Sequence, residues 1–188
     1  MPSRLTIVRD DVAKVVADIN ELVAHRVLVG IPESSSARSA EGPINNATIG
    51  YLMETGMPAQ NVPARPSLVP GVRAIQGQAI AKLRAAADNA LGGRPYMEQL
   101  NQAGIIGMNS VRNLINSNIP PPLAPSTIRG RKYARGTASR RPGETRYLNL
   151  VRGGMAPGPA QAAAGIIALV NTGQFRNSVT YVVRRLGK

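Results

Sequence analysis

Leu169 to Arg184, LVNTGQFRNSVTYVVR, is the stretch whose reading decides the fold. An apolar run leads into Asn171-Thr172-Gly173, a turn or cap signal, after which Phe175, Asn177, Val179, Tyr181 and Val183 alternate onto one side of the chain. A tight turn feeding a late β-strand is predicted. Asn, Thr, Gln, Ser and Arg stand here without an acid, His or Cys, so the stretch offers neither a general base nor an activated nucleophile. Its role is read as structural.

The partner of that strand is predicted over residues 25–31, His25-Arg26-Val27-Leu28-Val29-Gly30-Ile31, which are rich in β-branched side chains and stopped by Pro32. Immediately before it, Val12, Val15, Val16, Ile19, Leu22 and Val23 recur at helical spacing behind Asp10-Asp11, whose charges suit the positive end of a helix dipole. A helix over residues 11–24 followed by a strand points to an α+β fold. Residues 33–43 are small and polar and form a loop. Asn45 or Asn46 caps a short helix ended by Gly56 and Pro58, and Pro63 and Pro66 hold Ala64-Arg65 extended ahead of Leu68. Val72, Ile75, Ala79, Leu83, Ala86 and Ala90 predict a long helix up to Gly92-Gly93, and Tyr96, Leu100, Ala103, Gly107, Val111, Leu114 and Ile115 predict a second after Pro95. So short a connection implies an antiparallel hairpin over 70–118, with Ala86, Ala90, Ala103 and Gly107 allowing close approach.

The full expectation is a small antiparallel or mixed sheet packed against this hairpin, with extended basic loops or arms. Its divisions are an α+β core over 1–122, an extended basic arm over 123–165, and a C-terminal strand segment over 166–188 that returns to the core sheet. A length of 188 residues suits one domain with a real core. With 3% aromatic residues and no Trp, that core must rely on Val, Ile, Leu, Ala and Met, and 15 Pro with 19 Gly predict much irregular chain.

Absent cysteine removes disulfides, thiolate metal sites and cysteine catalysis. The one histidine, His25, has no carboxylate cluster beside it and reads as a strand residue, so neither a metal nor a cofactor is expected. No apolar run has the length of a bilayer span, and MPSRLTIVRDDVAK lacks the pattern of a signal peptide, so the expected place of assembly is a cytoplasm. Gly92-Gly93-Arg94 and Gly153-Gly154 lack the strand context and spacing of phosphate loops. Asp10, Asp11, Asp18 and Glu21 face no opposing carboxylate pair, and Ser34-Ser35-Ser36 has no His or Lys at a recognisable spacing. The chain is therefore read as non-enzymatic.

The net charge of +13 is unevenly placed. Residues 1–122 carry 11 Lys and Arg against 9 acids, whereas residues 123–188 carry 12 against Glu144 alone. A surface of this kind meets a polyanion or an acidic protein. Arg129, Arg131, Lys132, Arg135, Arg140, Arg141 and Arg146 are the candidate contacts with DNA or an acidic partner. Only Tyr133 and Tyr147 are interleaved, too few for a stacking platform.

Three separated pieces resemble the neck and tail-completion (virion morphogenesis) proteins of tailed bacteriophages. They are Leu52-Met53-Glu54-Thr55-Gly56 with Val62-Pro63-Ala64-Arg65-Pro66, then Pro122-Leu123-Ala124-Pro125-Ser126-Thr127-Ile128 with Arg131-Lys132, and Leu169 to Thr180. Ser67 stands where that family often has an aromatic residue, and Asn171 where it often has Asp. The resemblance implies a structural virion subunit at the head–tail junction. Its partners would be itself, as a hexamer or dodecamer ring, neighbouring neck, portal-adaptor or tail proteins, and packaged DNA through non-specific contact, with no membrane. It further implies Arg65, Pro66, Leu123, Pro125, Tyr133 and Tyr147 as oligomer or partner interface residues and Asn171-Thr172-Gly173 as a structural turn. The alternative is a non-enzymatic basic nucleic-acid-binding protein.

Overall fold

The computed structural model describes residues 12–38, 44–131 and 140–187. The chain is α+β: a two-stranded antiparallel sheet packed against helices. Helix α1 (Val12–Ala24) runs straight into β1 (His25–Gly30). Then follow α2 (Asn46–Thr55), α3 (Leu68–Ala74), α4 (Gln76–Leu91) and α5 (Met97–Asn116). The remainder is α6 (Pro125–Gly130), α7 (Pro142–Arg152), α8 (Pro157–Ala163), α9 (Gln174–Ser178) and β2 (Thr180–Arg185).

The alternation of Val27 and Val29 with Arg26 and Leu28 gives β1 one half-buried side, and β2 joins it in the register Val27 to Val183 and Val29 to Tyr181. Two strands alone are marginal in water and need a helix against one face. That helix is α5, which buries Leu100, Ala103, Gly104, Gly107, Val111 and Ile115 at helical spacing. A Cβ at Gly104 would lie 2.2 Å from Tyr181 Cδ2, and one at Gly107 would lie 2.8 Å from Val29 Cγ2. Gly107, expected at the helix–helix crossing, thus lets the sheet approach, while Ala86 and Ala90 are buried on α4.

The long helix expected from Val72 starts earlier, at Leu68, and breaks at Ile75, where φ −105 and ψ 11 leave the helical region. Pro70 sits in the first turn of α3, where its missing N–H removes no helical bond. Tertiary contact sets the break: Gly71 presses on Val111, to which an added Cβ would come within 2.9 Å, and Ser110 Oγ donates to Gly71 O at 2.7 Å.

Two expectations are corrected. The alternation from Phe175 does not begin a strand, because α9 intervenes and buries Phe175, Ser178 and Val179 with the spacing of a helical turn before β2 starts at Thr180. The extended arm over 123–165 is instead a helical unit of α6, α7 and α8 wherever it is described. Leu123, Ile128, Tyr147, Ala160 and Ile166 form its own apolar cluster. A second cluster, Val111, Ile115, Phe175 and Val179, lies in the α+β part with Val29, Ile31, Ile49 and Leu68 packed on it.

Replacing Gly104 by Ala drives a methyl into the Tyr181 ring rather than into its tip, so unfolding by urea should show a loss of about 1–3 kcal/mol. Gly77→Ala, whose added Cβ meets nothing within 4 Å, should be neutral or stabilising by up to about 1 kcal/mol in the same measurement.

Candidate functional site

Helix α2 begins at Asn45, whose side chain accepts from Thr48 N at 2.8 Å, and ends at Gly56 with φ 75. An added Cβ there would lie 2.8 Å from Ala64 N, so the return of the chain beside α2 requires glycine. Met57 bridges Val62, and Arg65 N donates to Met53 O at 2.6 Å, which draws the Val62 to Pro66 segment alongside α2.

That return brings the Glu54 carboxylate to the start of α3. It accepts from Ser67 N at 2.8 Å, Leu68 N at 3.0 Å and Val69 N at 3.0 Å, three amides that have no partner inside their helix. Beside it, Arg65 is only 7% exposed. Its Nε and Nη2 donate to Pro121 O at 3.0 and 2.8 Å, and Nη2 also reaches Pro122 O at 3.4 Å. Burial lowers the guanidinium pKa from its usual value, yet an arginine keeps its proton throughout the working range. Main-chain carbonyls therefore solvate a buried charge.

From that anchor the polar framework continues into the helical unit. Asn118 Oδ1 accepts from Ala168 N at 3.0 Å and from Gln161 Nε2, and Gln161 Oε1 accepts from Leu123 N at 2.6 Å. Tyr147, fully buried, donates its hydroxyl to Leu123 O. Burial raises the Tyr147 pKa, and the nearby Arg129 charge offsets part of that rise. Glu144 is buried and pairs with Arg131 Nη1 at 3.0 Å. Arg141 donates to Asn171 O, and Arg112 donates to Val179 O at 2.7 Å and Asn177 O at 3.2 Å. Gly173, at φ 82, starts α9, with Gln174 N directed to Thr172 Oγ1 at 3.4 Å.

The fold thus unites the three sequence pieces in one framework, and this moves several expected interface residues inside. Arg65, Leu123 and Tyr147 are interior residues, because their hydrogen-bonding groups are spent on the chain itself. Pro66 is exposed and Pro125 half-buried. Among the candidate basic contacts, Arg131 is engaged by Glu144 and Arg141 by Asn171, whereas Arg129, Arg140 and Arg146 are exposed. Lys132, Tyr133 and Arg135 lie outside the described residues. Asn171, Thr172 and Gly173 do form the turn, but it enters a helix rather than a strand.

Asn118, Gln161 and Arg112 were not singled out in the sequence, and Glu54 entered only within the Leu52 to Gly56 piece, with no role assigned. Gln161 alone carried a usable signal, an isolated amide inside an alanine-rich run. Among the described residues no group of three or more His, Cys, Asp or Glu could hold a metal, and no helix is long and apolar enough to cross a membrane. An apolar concavity lies elsewhere, a groove of about 530 Å³ along α3 and α4 between Leu68 and Leu83. No family model, curated protein or solved structure matches the chain.

Arg65→Lys keeps the charge but cannot fork onto the two carbonyls, and should cost about 2 kcal/mol or more in a denaturant titration. Tyr147→Phe should cost about 1 kcal/mol at neutral pH by leaving Leu123 O unsatisfied. The raised Tyr147 pKa stabilises the fold below the unfolded value of about 10, and that contribution is lost as pH rises through the folded value. Thermal melts above pH ~10 should accordingly decline less steeply in Tyr147→Phe than in the parent.

Proposed function

We propose that this protein is a structural subunit of a tailed-bacteriophage virion that assembles in the host cytoplasm into a head-to-tail ring at the head–tail junction, as neck, collar or tail-completion component. The observation that carries the reading is the uncovered apolar groove on α3 and α4, where Val69 is 52% and Leu83 44% exposed and Val72 and Ile80 are exposed beside them. Contiguous apolar surface of that kind marks an interface in a protein that otherwise folds normally. A ring needs two unlike surfaces on each subunit, and the groove and the basic helical unit belong to different parts of the chain.

The polar framework supports the same reading. Glu54, Arg65, Gln161 and Tyr147 donate to or accept from main-chain groups, the work of a scaffold rather than of a reaction centre. The resemblance of the three pieces to virion neck proteins supplies the biological setting. The exposed Arg129, Arg140, Arg146 and Arg152 favour a second reading, a basic protein that binds nucleic acid without enzymatic activity.

Light scattering and negative-stain microscopy of the purified chain should show a closed ring. Val72→Glu with Leu83→Glu should leave a folded monomer and shift assembly to concentrations about tenfold higher or more. A monomeric parent that binds duplex DNA tightly at physiological salt would overturn the assembly reading in favour of the second.

A further inference from the structure

Arg129 on α6, Arg140 just ahead of α7 and Arg152 in the last turn of α7 line one cleft of about 260 Å³. Its remaining lining is Pro125, Leu148 and Val151, half-buried apolar side chains. Among the described residues none of the three arginines has a hydrogen-bond or ion-pair partner, whereas Arg131 and Arg141 are both engaged. The one acidic side chain in the last 66 residues of the sequence, Glu144, is buried against Arg131 and does not line this cleft. Three free guanidiniums therefore surround an apolar floor.

We propose that this cleft is a docking site for an acidic peptide segment of a partner protein, one apolar side chain seated on Leu148 and Val151 and flanking carboxylates gripped by Arg129, Arg140 and Arg152. Planar guanidinium forks match carboxylates in pairs. The apolar floor discriminates among anions: a phosphodiester backbone has nothing to place there, and binding of unstacked bases relies on aromatic platforms, which this lining lacks. An acidic segment with one large apolar residue satisfies both halves of the cleft. This goes beyond the assembly reading and does not depend on it.

Fluorescence anisotropy of the full chain with a fluorescein-labelled Asp-Glu-Leu-Glu-Asp peptide tests the site at about 0.15 M salt. Arg129→Ala with Arg140→Ala and Arg152→Ala should weaken binding about tenfold or more, while Arg146→Ala, equally exposed but outside the cleft, should change it less than about twofold. Exchanging the peptide leucine for serine should weaken binding about tenfold at unchanged charge. Equal losses in Arg146→Ala and the cleft variant, indifference to the leucine, or displacement of the peptide by short duplex DNA at lower concentration than by unlabelled peptide would each overturn the proposal.

Discussion

A guanidinium taken out of water must be solvated by something else, and here Arg65 is solvated by the carbonyls of Pro121 and Pro122. The arrangement is demanding. The extended backbone about Pro63 and Pro66 holds Arg65 at the right distance. Truncating the buried Arg65 side chain would remove the donors from both carbonyls and leave a cavity, so the contact is maintained by the cost of losing it more than by its net gain. Because Pro121 and Pro122 directly precede Leu123, this contact sets where the helical unit begins relative to α2 and α3.

A polar seam joins the two apolar clusters. Leu123, Ile128, Tyr147, Ala160 and Ile166 pack among themselves, as do Val111, Ile115, Phe175 and Val179. Between them run Arg65 to Pro121, Asn118 to Gln161 and Ala168, and Arg141 to Asn171. Polar joints are directional where apolar contact is not, so they define one relative placement of the clusters. The apolar groove of α3 and α4 adjoins the second cluster only at Leu68, and its Val69, Val72, Ile80 and Leu83 stay exposed.

Legibility in the sequence followed the strength of periodicity. The valines of α1, the β-branched run of β1 and the long face from Leu100 to Ile115 were readable because their spacing admits one structure. The strand pairing of β1 with the C-terminal segment was readable too, although Phe175 to Val179 fits alternation and a helical turn equally well, and burial of Phe175 and Val179 together decides for the turn. The segment over 123–165 was read as an extended basic arm because its arginines dilute the apolar face of α7. In fact Pro125, Pro142 and Pro157 each open a helix after an extended residue, Ala124, Arg141 and Ala156. Proline at the first helical position loses no bond, and three repetitions of that pattern were the available signal. The Glu54 cap had no such signal, since its amides lie 13 to 15 residues away across a fold-back that only Gly56 permits.

The charge excess looks different once partners are assigned. With few acids to pair with, arginines turn to main-chain carbonyls: Arg65 to Pro121, Arg112 to Val179, Arg141 to Asn171 and Arg26 to Val23. These side chains stitch loops and helix ends, and their charge is directed inward or along the surface rather than toward a ligand. Net charge therefore overstates the basic surface available to a partner, and its distribution understates the selectivity. Arg129, Arg140 and Arg152 line one cleft with an apolar floor, while Arg131, their close neighbour in sequence, is engaged by Glu144. A diffuse polyanion trap would gain from leaving Arg131 and Arg141 free as well. Their engagement by Glu144 and Asn171 supports the proposed local, shape-limited contact over a diffuse one.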